Sequence, residues 1–236
     1  MINKIKIFPR AADQVTITYQ CIMLLLIIFN FQSIENGILL SFFHVFVIIL
    51  LFWIPNAPKN PIIDWFKIWS PVVIIPINFT ELHYLVHPVS PMDFDRALID
   101  LDFGIFGAHP TVWMEKLYNP WLTEYLQIIY TTFYFLPIIL AIILWVRKDY
   151  KEFDKFVFIM VFGFYLSYLG YFIVPAIGPR FTLDHLQSFP VTGVWATDAI
   201  RHTLDTLENI QRDAFPSGHT EMTLLSMIYA YKYSKK

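Results

Sequence analysis

The feature that most restricts what this chain can become is its series of long apolar runs. A bilayer offers no water to backbone N–H and C=O groups, so a crossing segment must satisfy them internally. A helix of about 20 mostly apolar residues does so. Val15–Gln32 and Gly37–Ile54 are such runs, separated only by a polar turn around Glu35-Asn36. A third, Phe66–Val86, holds Pro71 and Pro76 and is expected to form a kinked helix. A fourth, Trp121–Val146, contains Pro137 and is long enough to span with tilt, and a fifth, Phe156–Val174, stops at Pro175. A sixth and shorter run, Ser217–Tyr233, lies near the C-terminus. The expected fold is therefore all-α: one polytopic helical bundle over residues 1–236, with about six transmembrane helices.

Composition agrees, because 15% charged residues is well below the roughly 25% usual for soluble domains. The formal net charge of −2 gives no reason to expect a nucleic-acid partner. Cys21, the single cysteine, lies within the first apolar run and reads as a lipid-facing or core residue. The polar, mildly basic start, Met1–Gln14, followed by a long apolar run, does not read as a cleavable signal peptide. Lysine and arginine placement supplies an orientation. With six spans and a cytoplasmic N-terminus, twelve of the 17 fall in inside segments, and only Arg96, Lys116, Arg180, Arg201 and Arg212 fall outside. That arrangement puts both long connections, His87–Pro120 and Pro175–Pro216, on the outer face of a plasma, inner or equivalent membrane. Within the first, Phe94, Leu98, Leu101 and Phe103 suit a short amphipathic helix at the interface; within the second, Thr197–Arg212 is a polar stretch able to form a helix.

The segment with the clearest chemistry is Phe215-Pro216-Ser217-Gly218-His219-Thr220, immediately before the sixth run. Ser217 is a good N-cap, and Gly218 lets a ligand approach the backbone closely. The free first-turn N–H groups and the positive helix end then face an anion. His219 sits in that turn, where a nearby phosphate favours its protonated form and equips it as a general acid. On the residues alone, a helix start bearing an incidental interfacial histidine is the competing account. The position of the segment, ending an outer loop and opening a span, favours the phosphate cradle.

Pro-Ser-Gly-His opening a membrane helix resembles the second signature of the type 2 phosphatidic acid phosphatase superfamily. Pro175-Ala176-Ile177-Gly178-Pro179-Arg180-Phe181 and Ala214–Thr220 resemble the branch that includes inositol phosphorylceramide synthases. Asp100–Gly107, with Tyr130 and Tyr134 on the next span, has a similar look, so the likeness covers about residues 82–236. The resemblance implies a six-helix fold and metal-independent phosphoryl transfer from a lipid phosphate, with no cofactor. One histidine attacks phosphorus, a second protonates the leaving alcohol, and basic residues hold the phosphate oxygens. On that basis His219 corresponds to the acid, and Ser217 and Gly218 to the phosphate-binding turn. Arg180 corresponds to a phosphate-holding residue of the first signature, although here the order is Pro179-Arg180 and Ile173 stands where that signature has a lysine. The third signature, Ser-Arg-x5-His-x3-Asp, carries the nucleophile and its orienting aspartate, and the 236 residues contain no such pattern. The expectation is thus a final active-site helix missing from the chain. Two functions follow: a lipid phosphatase or phosphotransferase incomplete as it stands, or a truncated, non-catalytic member that binds lipid phosphate or a partner helix. Association into a homo-oligomer stays open.

Other polar residues carry weaker expectations. His83 and His87, four apart near Glu81, have metal-pair spacing, but Glu81 points to another part of the wheel, and no metal site is expected. His185 and His202 read as loop residues and His109 as a turn residue before Pro110. Asp93, Asp95, Asp100 and Asp102 read as a solvated helix face, and Trp113, Tyr118 and Trp121 as an interfacial belt. A small transporter is the third reading. It calls for mid-span ionisable groups and an internal repeat, and neither is evident in the sequence.

Overall fold

Eleven α-helices follow one another with no strand among the described residues: α1 (Ala11–Phe29), α2 (Gly37–Trp53), α3 (Pro61–Val89), α4 (Asp95–Phe106), α5 (Pro110–Trp113), α6 (Pro120–Thr131), α7 (Leu136–Val146), α8 (Tyr150–Ile173), α9 (Pro179–Thr182), α10 (Thr197–Glu208) and α11 (Gly218–Ser234). They belong to a computed structural model that describes residues 9–208 and 212–235. The start and stop signals are local. Arg10 and Asp13 form a capping box at α1, Asn60 accepts from Ile62 N ahead of Pro61 at α3, and Asp149 accepts from Glu152 N at α8.

The chain is a helical membrane bundle, as its apolar runs predict. Among the described residues four helices are long and apolar enough to cross a bilayer: Ala11–Phe29, Gly37–Asn56, Pro61–Val89 and Tyr150–Ile173. A fifth exists if Pro120–Tyr134 and Leu136–Val146 make one span, and these meet at an angle of 47°. The prolines act in two ways. α3 continues as one 29-residue helix through Pro71 and Pro76, whereas the break falls at Pro137, where a 3-10 turn, Thr132–Tyr134, separates α6 from α7. The sixth run does form a helix, α11, but at 17 residues it is short for a span. The exposed apolar side chains, among them Phe29, Leu39, Phe42 and Ile62, are what a lipid-facing surface requires. Cys21 is exposed on α1.

Helix α8 is the centre of the bundle. Its Val161, Tyr165, Tyr168, Tyr171 and Phe172 pack with Tyr19, Met23 and Ile27 of α1 and with Leu82, Leu85 and Val86 of α3. Its Phe153, Phe156 and Met160 pack with Ala141 and Leu144 of α7 and Met222 of α11. Helix ends show the directions. Arg10 Nη1 donates to Ile68 O at 3.1 Å and lies 3.9 Å from Asp154, which gathers the starts of α1, α3 and α8 at one end. At the other end Ser90 Oγ donates to Phe172 O at 2.6 Å, just past α3 and near the close of α8. Both long connections therefore leave from the same end of the bundle.

Helix α11 runs antiparallel along α8. Tyr229 OH reaches the Glu152 carboxylate at 2.6 Å near the start of α8, Ser167 Oγ donates to Glu221 Oε2 midway, and Pro216 lies against Gly170 near its close. Two glycines make this approach possible. A Cβ at Gly163 would lie 2.6 Å from Met222 Cε and 2.8 Å from Leu225 Cδ1, while one at Gly170 would lie 2.6 Å and 2.7 Å from Pro216 Cγ and Cδ. Methionine and leucine ends can turn aside, but a proline ring cannot. Gly170→Ala is therefore expected to cost about 1–3 kcal/mol through overpacking. Gly163→Ala should come out near neutral, because the helix-propensity gain of roughly 1 kcal/mol offsets the smaller adjustment. Thermal unfolding of both variants in one detergent checks the order; equal midpoints would mean that the Pro216 turn does not rest on Gly170.

Candidate functional site

The last residues before α11 form a tight turn with a cis Phe215-Pro216 peptide, and Ser217 then caps the helix. Ser217 Oγ accepts from Thr220 N at 3.3 Å and lies 3.0 Å from Thr220 Oγ1. In any first turn the leading N–H groups point away from the carbonyls of their own helix, and here those groups belong to Gly218 and its neighbours. Gly218 has little room for a side chain, because a Cβ there would sit 2.9 Å from Tyr171 Oη on α8.

His219 stands against an aromatic wall. Its ring stacks on Tyr130 at 4.6 Å between centroids, with Phe133 at 4.3 Å and Tyr134 edge-on at 5.9 Å. Nε2 lies 2.8 Å from the Tyr130 hydroxyl. Phe133 and Tyr134 belong to the 3-10 turn at the α6–α7 bend, so the break ahead of Pro137 builds this wall. The sequence marks Tyr130 and Tyr134 only through a family likeness and carries no signal that they meet His219.

The second long connection returns to the same place. After α8 ends, the turn Ala176–Gly178 lies beside the approach to α11. Ala214 N donates to Ala176 O at 3.1 Å, and a Cβ at Gly178 (φ 101°) would lie 3.0 Å from the Ala214 Cβ. The turn that carries Arg180 and the turn that carries Ser217 are thus strapped together. The Arg180 side chain itself makes a two-pronged pair with Asp205 of α10, at 2.9 and 2.8 Å. The structure brings Ser217, Gly218 and His219 into one helix start and places the Arg180 turn next to it, with the guanidinium directed to α10.

Carboxylates hold this end together, which corrects the solvated-face reading at Asp95, while Asp93 is exposed as expected. Asp95 accepts from Ile177 N at 2.9 Å and Gly178 N at 2.7 Å, fixing the Arg180 turn onto the start of α4. Asp93 pairs with Arg212 Nε at 2.7 Å and Nη2 at 3.1 Å. Asp100 is exposed, as expected. Glu124 of α6, which nothing in the sequence singles out, is buried and gathers five donors. Val194 N, Trp195 N, Thr197 N and Thr197 Oγ1 donate to Oε2, and Ala196 N donates to Oε1, at 2.8–3.3 Å. One carboxylate thereby anchors the loop leading into α10.

His202, expected in a loop, lies on α10, the helix whose Asp205 holds Arg180. His83 and His87 are exposed on α3, while Glu81 is buried on its other side. His185 lies beside Asp184 in an exposed turn, and His109 precedes α5 as its N-cap. Among the described residues no three His, Cys, Asp or Glu side chains are grouped to hold a metal ion. The expected interfacial helix is α4, whose Leu101 and Phe103 are exposed. Of the polar stretch Thr197–Arg212, Thr197–Glu208 is helical, and residues 209–211 lie outside the described residues.

Compared with known proteins, residues 96–236 match the sequence profile of the family described as the PAP2 superfamily. No curated protein and no solved structure gives a match.

The Glu124 anchor makes its own prediction. Glu124→Gln puts an amide NH2 where backbone donors converge, so amide exchange at Val194–Thr197 should accelerate markedly while total helicity by circular dichroism stays unchanged. Unaltered exchange at those four residues would show that the loop is held by other contacts.

Proposed function

The chain belongs to the PAP2 superfamily, and from that premise we propose that it is a membrane lipid phosphatase or phosphotransferase whose phosphate site is the start of α11. The observation that carries this reading is the placement of His219 in the first turn of a capped helix, at the end of the bundle where both long connections converge. In this reading the amides of Gly218 and His219 and the Ser217 hydroxyl receive phosphate oxygens. Arg180 closes over the phosphate from the adjacent turn after exchanging the Asp205 carboxylate for phosphate oxygens, two anions with the same fork-like fit to a guanidinium. His219 gives a proton to the leaving lipid alcohol. Tyr130 holds the imidazole plane through its hydroxyl contact with Nε2, so the ring is oriented before substrate arrives.

The distribution of Lys and Arg supports a site on the outer face, with substrate entering from that leaflet. The likeness of Pro175–Phe181 and Ala214–Thr220 to inositol phosphorylceramide synthases makes an alcohol, as well as water, a reasonable acceptor. A second reading has its own observation: the Arg180 guanidinium is held by Asp205 of α10 rather than directed to the start of α11. In that reading the site binds lipid phosphate without turnover.

Phosphate release from short-chain phosphatidic acid or a prenyl diphosphate, by purified protein in detergent with chelator present, separates the two. His219→Ala should lower the rate by about 10²–10⁴, the usual contribution of a general acid. Tyr130→Phe keeps the stacked ring and removes one hydrogen bond, so it should cost roughly fivefold to tenfold in kcat. No release from a folded wild-type protein, with phosphatidic-acid vesicles still retained through Ser217 and His219, would establish the binding reading and exclude the enzymatic one.

A further inference from the structure

Away from the phosphate site, the apolar interior holds a cluster of polar side chains from four helices. Gln20 of α1, His44 of α2 and Asn78 of α3 are 0% exposed, and Glu81 of α3 is 5% exposed. Each lies well inside its helix, and α1, α3, α8 and the Gly37–Asn56 segment that holds His44 all qualify as membrane spans. Hydropathy alone makes no mid-span ionisable pair evident; the structure puts a histidine and a glutamate there, face to face.

Their contacts form a circuit open at one link. His44 Nδ1 meets Gln20 Oε1, Gln20 Nε2 donates to Asn78 Oδ1 at 2.7 Å, and Asn78 Nδ2 donates to Glu81 Oε1 at 2.8 Å. Glu81 Oε2 and His44 Nε2 face each other across the remaining gap, 3.4 Å apart, and neither atom makes a hydrogen bond. From the fourth helix, Tyr165 OH donates to Asn78 Oδ1 at 3.0 Å. The other titratable groups facing the circuit are Tyr19, stacked on Tyr165 at 4.1 Å, and Tyr168, whose hydroxyl donates to Ile75 O at 3.3 Å. No lysine, arginine or aspartate takes part in these contacts.

Donor and acceptor counting then fixes the protons. Asn78 Oδ1 receives two donors, so Asn78 Nδ2 must donate to Glu81 and Gln20 Oε1 must accept from His44 Nδ1–H. The last gap has two sides, Glu81 Oε2 and His44 Nε2, and neither amide can supply a hydrogen there. Without one, lone pair faces lone pair, and a carboxylate stands uncompensated among apolar helices. Turning both amides around reverses the direction of the circuit and leaves the same total: a neutral glutamic acid and a neutral imidazole. Moving the shared proton from Oε2 to Nε2 breaks the O–H bond, forms an N–H bond, and leaves the pair with no net charge.

We propose that Gln20, His44, Asn78 and Glu81 form an intramembrane one-proton site, in which a proton held between Glu81 and His44 closes a hydrogen-bonded ring that keys the α1–α2 pair to α3 and α8. The ligand of this site is a proton, and its binding is independent of the phosphate chemistry at α11. Glutamine at position 81 offers one donor and one acceptor in the same places, so the ring survives without the titratable proton. Alanine leaves Asn78 Nδ2 and His44 Nε2 unanswered in an apolar interior.

The test uses the full chain in detergent micelles. Glu81→Gln should keep the wild-type thermal midpoint to within about 1 °C, while Glu81→Ala lowers it by at least about 4 °C. Infrared difference spectra, wild type minus Glu81→Gln, should contain either a deuterium-sensitive carboxylic-acid carbonyl band or a carboxylate band together with imidazolium modes that vanish in His44→Gln. Both patterns hold the single proton. A carboxylate band with a neutral imidazole would overturn the proposal, and so would Glu81→Gln unfolding as readily as Glu81→Ala. The infrared experiment stands on the wild-type protein even if the alanine variant fails to fold. Phosphate release plays no part in it, so failure here and failure of the phosphate-site reading are distinguishable.

Discussion

The position of α11 depends on how closely it can approach α8. Gly163 and Gly170 open two places on α8 where the Met222 and Leu225 side chains and the Pro216 ring come within distances that a Cβ would forbid. With that seam in place, Met222 is fully buried against Phe156 and Met160, and the first turn of α11 sits beside Tyr171. The same approach sets His219 against the aromatic wall of the α6–α7 turn. A single helix-to-helix spacing thus determines where the histidine stands.

At the loop end, negative charge does the work that apolar packing does inside the bundle. A connection rich in backbone N–H groups has no ladder or helix to satisfy them, and a carboxylate can accept several at once. Glu124 does so for residues 194–197 and Asp95 for residues 177–178, while Asp93 and Asp205 hold arginines. These contacts join elements far apart in sequence, which keeps two long connections folded over the start of α11. In the proposed phosphate site Asp205 and a phosphate would compete for the same face of the Arg180 guanidinium.

Inside the bundle the balance reverses. Polar side chains there are few, and one group of them is linked across helices: an amide, an imidazole, a second amide and a carboxyl group from three helices, with a tyrosine from a fourth. A misplaced helix would strand several of them at once, so such a ring favours one relative placement of α1, α2, α3 and α8 over near alternatives.

Apolar run length and cap residues are enough to read the helices, because backbone satisfaction in lipid is a local requirement that each segment meets alone. The same local logic marks Ser217 as an N-cap and places Gly218 and His219 in a first turn. It does not tell the prolines apart: Pro71 and Pro76 are carried within α3, while the 47° bend falls just ahead of Pro137. What only the tertiary structure decided are the meetings between segments: Tyr130 with His219, Glu124 with residues 194–197, the Arg180 turn with Ala214, and Glu81 with His44. Each residue is visible in the sequence as an ordinary glutamate, histidine or tyrosine. Its partner lies up to 89 positions away and is chosen by helix direction, rotation and close approach, which no local pattern encodes.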